Sequence, residues 1–159
     1  MTSILGIDPG PVESGLCWLL DGRPASPAIC STEKALLAIW AAPPSTIVVI
    51  EKLECYGMAV GAEVFETAYV IGRLQQTVFD AAARGKEIGF VMLPRRAVKS
   101  HLCNSAKAKD ANIAQALKDR FGGKGTRKKP GALFGIKDHA WSALALAVTF
   151  AEMREAVRA

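Results

Sequence analysis

Short apolar runs that stop on an acid constrain this chain more than any other feature. Ile4-Leu5-Gly6-Ile7 leads to Asp8, and Ile47-Val48-Val49-Ile50 leads to Glu51. A third acid, Asp138, stands with His139 just ahead of an Ala-Leu-Ala-Leu-Ala-Val run. A carboxylate that follows a buried strand sits rigidly at the sheet's carboxyl edge, half stripped of water. Several such groups converging there repel one another unless a divalent cation lies between them. The pattern points to a metal-dependent phosphodiesterase.

The rest of the chain supplies a sheet to carry those acids. Residues 3–7 and 15–20 are apolar and separated by Asp8-Pro9-Gly10, and Asp21-Gly22 follows as the next turn signal. A weaker strand is expected at 28–32, completing an antiparallel meander. A short Ala/Leu-rich helix over 33–40 ends before Pro43-Pro44. Residues 46–51 are continuously apolar and β-branched, which suits a central strand buried on both faces. Helical periodicity covers 62–84, another strand 87–93, and short helices 95–102 and 107–121. Gly122 to Gly131 reads as a mobile Gly/Lys loop, and a last, deeply packed helix is expected over about 137–157. The fold class is therefore α/β, a mixed five-stranded sheet with helices on both faces.

The 159 residues, 50% of them hydrophobic, suit one domain spanning 1–159 with a substantial core. No apolar run approaches the ~18 residues of a membrane span, and no export signal is expected at the N-terminus. A cytoplasmic setting follows as an expectation. Cys17, Cys30, Cys55 and Cys103 form no CxxC pair and lie in or beside apolar segments, as buried free thiols of a reducing compartment would.

Charge is unevenly placed. Eleven of the twenty Lys and Arg residues fall between Arg95 and Lys129, opposed only by Asp110 and Asp119, so this sector carries +9 and the remainder −4. A run of charge is often no more than a solvated face. The local excess of one sign favours instead the electrostatic footprint of a nucleic-acid binder.

Taken together, these segments resemble a known family. Ile4-Leu5-Gly6-Ile7-Asp8-Pro9-Gly10 with Gly15 looks like the opening strand pair of the RuvC-like Holliday junction resolvases, within the ribonuclease H-like superfamily. Val48-Val49-Ile50-Glu51 resembles its second acidic strand. Residues 56–67 resemble the entry to the long helix in the phage-type branch, and 105–117 its later lysine-bearing helix. Asp138-His139-Ala140-Trp141-Ser142 through Ala145 resembles the start of its last helix.

The resemblance implies a ribonuclease H-type fold, a homodimer, and cutting of four-way or branched DNA with Mg2+ or Mn2+, two ions per site. The family's acids map onto Asp8 and Glu51. Its last helix often carries two aspartates three residues apart, where this chain has His139 and Ser142, so the full acidic tetrad is not reproduced. Asp138 is retained as a third carboxylate, and His139 as a metal ligand or a proton donor to the leaving oxygen. Both can aim at one point only if the helix is just starting, because successive helical residues diverge by about 100°. Either can equally serve as a helix cap, and Asp8 beside Pro-Gly as a turn residue. Glu54 lies past its strand and is the weaker acid.

Lys99, with Lys107 and Lys109 on the helix, matches family positions that touch phosphates. Lys124, Arg127, Lys128 and Lys129 are expected to follow the backbone of a second arm, in contacts blind to sequence and steeply salt-dependent. Three other readings compete. Gly6-Ile7-Asp8-Pro9-Gly10 also resembles the phosphate loop of actin/hexokinase-type ATPases, but those need two duplicated halves. A ribonuclease H acting on RNA–DNA hybrids and a non-catalytic branched-DNA binder are the others.

Overall fold

The computed structural model describes residues 2–158. Its elements run β1 (Ser3–Asp8), β2 (Glu13–Leu20), β3 (Arg23–Ser31), α1 (Thr32–Trp40), β4 (Thr46–Lys52), α2 (Ala62–Ala83), β5 (Ile88–Pro94), α3 (Arg95–Cys103), α4 (Asp110–Phe121) and α5 (His139–Arg158). The five strands form one sheet in the order β3-β2-β1-β4-β5. β1–β2 and β2–β3 are antiparallel, whereas β1–β4 and β4–β5 are parallel. This is the mixed five-stranded α/β architecture expected from the sequence. Among the described residues, no helix is long and apolar enough to cross a membrane.

Period-2 alternation splits the central strands between two cores. Leu5, Ile7, Val48 and Ile50 face α1 and α2, meeting Ala35, Ile39, Val70, Ile71, Leu74 and Val78. Ile4 and Val49 face the opposite side, packed with Val98 and Leu102 of α3, Ile113 and Leu117 of α4, and the apolar body of α5. Both β1 and β4 are thereby sealed on both faces, which explains their unbroken apolar runs.

Several boundaries differ from expectation. β3 begins at Arg23, not near residue 28, because Asp21 (φ 47°) and Gly22 (φ 76°) close a two-residue hairpin that pairs Leu20 with Arg23. Pro24 and Pro27 disguise the strand. They are tolerated because β3 is an edge, and the register shifts between Leu16 and Trp18, opposite the stretch holding Ser26 (φ 47°) and Pro27. Residues 104–109 are not helical, so Lys107 and Lys109 precede α4 rather than lying on it. Asn104 turns left-handed (φ 53°), and the Asn112 side chain accepts from the Lys109 N–H at 2.9 Å to open the helix. Of the cysteines, all free, Cys17 is buried but Cys55 is exposed, since it lies beyond the end of β4. Burial pushes the Cys17 thiol up to about 12, offset in part by a bond to the Ala25 carbonyl.

Helix α5 lies against the sheet with almost nothing between the backbones. A Cβ on Gly6 would stand 1.9 Å from the Ala143 carbonyl oxygen, a backbone atom that cannot turn aside. Gly6→Ala is therefore expected to destabilise the fold by about 2–3 kcal/mol, the usual cost of overpacking, read as a lower urea midpoint. An unchanged midpoint would contradict the packing described.

Candidate active site

The three parallel strands bring their carboxyl ends to one edge. Ile7 of β1 pairs with Ile50 of β4, so Asp8 and Glu51 follow at the same level on neighbouring strands. Both side chains share the face of Ile4 and Val49, toward α5. Pro94, ending β5, pairs with Lys52 and delivers Arg95 beside them. The open α/β edge is where such sheets hold ligands.

The start of α5 completes the edge. Gly15 is the register partner of Asp8, and a Cβ there would meet the His139 carbonyl oxygen at 2.3 Å. The missing side chain lets the first turn of α5 rest on β2, which places His139 over Asp8. Nδ1 of His139 lies 2.9 Å from Oδ2 of Asp8. The Asp8 side chain is 9% exposed and that of His139 61%, so the carboxylate is sunk and the ring faces the cleft. Asp138 immediately precedes the helix in a left-handed turn (φ 45°), which an aspartate tolerates. Asp8, Asp138 and His139 line one cleft of about 520 Å³ with Arg95, Asp110, Trp141 and Ser142. The geometric condition for Asp138 and His139 to share a target, a helix only just beginning, is met.

Glu51 carries the strongest electrostatic signature of the edge. Burial raises its carboxyl from the usual 4.5 to about 7, the Asp8 charge beside it adds to the rise, and Arg95 opposes both. Nη1 of Arg95 lies 3.4 Å from Oε2 of Glu51, and its Nη2 bonds Oδ1 of Asp110 at 2.5 Å. Around Glu51 the walls are otherwise largely apolar, formed by Val98, Ile113, Ala145 and Leu146. Glu54 belongs elsewhere. It bonds the Tyr56 hydroxyl at 2.5 Å and pairs with Lys52 at 3.7 Å.

These donors suit a hard divalent cation: two sunken carboxylates, one exposed carboxylate and an imidazole at a single edge. Glu51 is raised first by burial and then by the Asp8 charge beside it, and a cation at this edge would oppose both by favouring the ionised carboxylate. Among the described residues, no three His, Cys, Asp or Glu side chains already stand as a ready cage. Asp8 is instead engaged by His139, and Glu51 by Arg95.

Cations border this edge on two sides. Arg95, Arg96, Lys99 and Lys107 line an adjoining cleft of about 420 Å³ with Tyr56. Lys124, Arg127, Lys128 and Lys129 are exposed on a hairpin tied by a Gly125–Pro130 bridge and by reciprocal backbone bonds of 3.0 and 3.1 Å between Thr126 and Lys129. The Gly/Lys loop expected here is present, and it closes on itself through these bonds. It docks beside the acidic cleft, where the ammonium groups of Lys124 and Lys118 lie 5.2 and 5.9 Å from the centre of the Trp141 ring. Sequence reasoning counted Arg95 and Asp110 only as charges and gave Trp141 no part. Arg95 directly follows β5, and only the parallel pairing of β5 with β4 brings it to Glu51, so no local sequence signal marks it.

Glu51 also sets a pH dependence. Its carboxyl is higher in the folded chain than in the unfolded one, so its contribution is fully favourable below pH 4.5 and is lost as pH rises through about 7. Glu51→Gln without divalent ions is expected to be more stable than the parent at pH 8, by on the order of 2 kcal/mol. That margin should shrink toward zero at pH 4.5. Urea unfolding of both proteins at the two pH values checks the sign.

Comparison with known protein families and with curated proteins finds no match to this sequence. Solved structures do share its fold. The Thermus thermophilus RuvC structure superposes with a TM-score of 0.71 at 18% identity, covering 98% of this chain and 97% of that one. T. thermophilus RuvC in complex with a Holliday junction substrate gives 0.67 at 21% identity, with 97% of each chain covered. The yeast mitochondrial Holliday junction resolvase Ydc2 gives 0.64 at 9% identity, over 99% of this chain and 82% of that one. The chain therefore shares the ribonuclease H-like fold of these structures.

Proposed function

We propose that this protein is a metal-dependent, structure-selective endonuclease that resolves four-way and other branched DNA by paired phosphodiester hydrolysis. One observation carries the reading: Asp8 and Glu51 stand side by side at the carboxyl edge, with His139 on Asp8, in a fold shared with Holliday junction resolvases. Mg2+ or Mn2+, two ions per site, would be held by Asp8, Glu51, Asp138 and His139. When bound, the ions offset the negative charge of the phosphodiester and lower the pKa of water.

The remaining work falls to the chain. Asp8 and Glu51 are fixed by the central strands, so their oxygens need no reorganisation during the reaction. His139, gripped by Asp8 through Nδ1, retains Nε2 to hold a cation or to protonate the leaving 3′ oxygen. Lys99, Lys107 and Lys109 on one side and Lys124, Arg127, Lys128 and Lys129 on the other grip phosphates, and added salt weakens that hold steeply. Trp141 anchors the second group against the cleft.

Paired cuts on opposite arms require two sites related by symmetry, which a two-fold homodimer provides. The outer face of α2 suits that contact. Phe65 and Tyr69 are each 67% exposed and one turn apart, and exposed Gly72 continues the stripe. The sheet-facing side of the same helix is consumed by the core, so the outer stripe alone is free for it. Phe65→Glu is expected to weaken self-association at least tenfold in sedimentation equilibrium while leaving the circular dichroism spectrum intact.

The decisive assay presents labelled four-way junction, RNA–DNA hybrid and linear duplex, each with and without Mg2+. Junction cutting that needs Mg2+, and that Asp8→Asn reduces at least a thousandfold without loss of junction binding, is the expected result. Cutting of the hybrid alone would indicate a ribonuclease H instead. Binding of the junction with no cutting under any divalent ion would leave only a branched-DNA binder.

A further inference from the structure

We propose, on the nuclease reading above, that Arg95 is the resting counter-ion of the acidic edge: a positioning residue that occupies the cation side of Glu51 and has to leave it when a divalent ion is loaded. Its location costs stability. Arg95 and Arg96 open α3 with no acid in the first turn, and cations at a helix N-terminus oppose the helix dipole. The bonds that Arg95 makes offset this. One guanidinium nitrogen lies 3.4 Å from Glu51 and another holds Asp110 at 2.5 Å.

The two partners differ in kind. Asp110 is the first residue of α4, where the dipole favours an acid, and its side chain is 74% exposed. Glu51 is 16% exposed, crowded by Asp8 and otherwise surrounded largely by apolar groups. A planar fork with several donors can keep one partner while releasing the other. Asp110 is therefore the anchor and Glu51 the partner released.

Arg95 also lines both clefts. It borders the acidic one with Asp8, Asp138 and His139, and the basic one with Arg96, Lys99 and Lys107. Pivoting on Asp110 turns its free nitrogen from a carboxylate toward the place where a DNA phosphate would lie, a partner it can grip through charge-assisted bonds. Until a phosphate arrives, a divalent ion must displace the guanidinium from Glu51. Cation loading and DNA binding are coupled through this one side chain.

The test is Mn2+ binding to the free protein, followed by the electron paramagnetic resonance of the unbound ion. It compares the parent with Arg95→Met, Arg96→Met and Asp8→Asn, each checked for folding by circular dichroism. Arg95→Met is expected to bind Mn2+ about fivefold more tightly, the order expected for releasing one partly exposed ion pair. Arg96→Met, which removes a nearby cation without a bond to Glu51, should stay near the parent. Damage to the fold would weaken binding, so the direction separates the two causes. Unchanged or weaker binding in Arg95→Met, or equal tightening in Arg96→Met, overturns the counter-ion role. A parent that binds no Mn2+, or binding that survives Asp8→Asn, overturns the nuclease reading itself.

Discussion

The close approach of α5 to the sheet is the contact on which the rest of the structure depends. Gly6 and Gly15 lie on adjacent strands and present bare backbone to Ala143 and His139. With no side chains interposed, the helix backbone settles onto β1 and β2, and its small residues, Ala140, Ala143 and Ala147, fill the remaining space. The same approach sets the core and sets the chemistry. A helix held a further ångström or two away would still cover Ile4 and Val49, but His139 would no longer reach Asp8.

Around that contact, the protein keeps an arrangement that ordinary folding energetics disfavours. Two carboxylates are sunk at neighbouring positions, and one of them rises toward neutrality in consequence. Two arginines start a helix whose dipole opposes them. Each misfit is relieved by another: Glu51 by Arg95, Arg95 by Asp110, Asp8 by His139. Such local violations concentrate at functional sites, because groups fully satisfied by the protein have little left to offer a substrate.

The parts legible in the sequence were those whose signal is local. An apolar β-branched run ending on an acid states both a buried strand and an edge carboxylate, and Asp8 and Glu51 were placed by that alone. β3 was only half legible, because its two prolines read as loop until its edge position and bulge are known. The segment before α4 carried helix-forming residues, yet Asn104 and the Lys109–Asn112 bond set the helix start at Asp110. The pairing of Arg95 with Glu51 spans 44 residues and depends on which strands are parallel neighbours. No window of sequence contains that, and a count of charges in the basic sector conceals it. The role of Gly15 was hidden for the same reason, since what it avoids lies more than a hundred residues away.

The separation of Asp8 and His139 along the chain, 131 residues apart, has a consequence for the order of events during synthesis. The sheet can pair and cover its first face with α1 and α2 while α5 is still unmade. Its second face, with Ile4 and Val49, stays bare until that helix arrives. A nascent polypeptide thus holds both strand acids early without the imidazole that belongs with them. Closure of the hydrophobic interior and completion of the acidic edge become a single late step, because α5 supplies both the cover of the second face and the imidazole that meets Asp8.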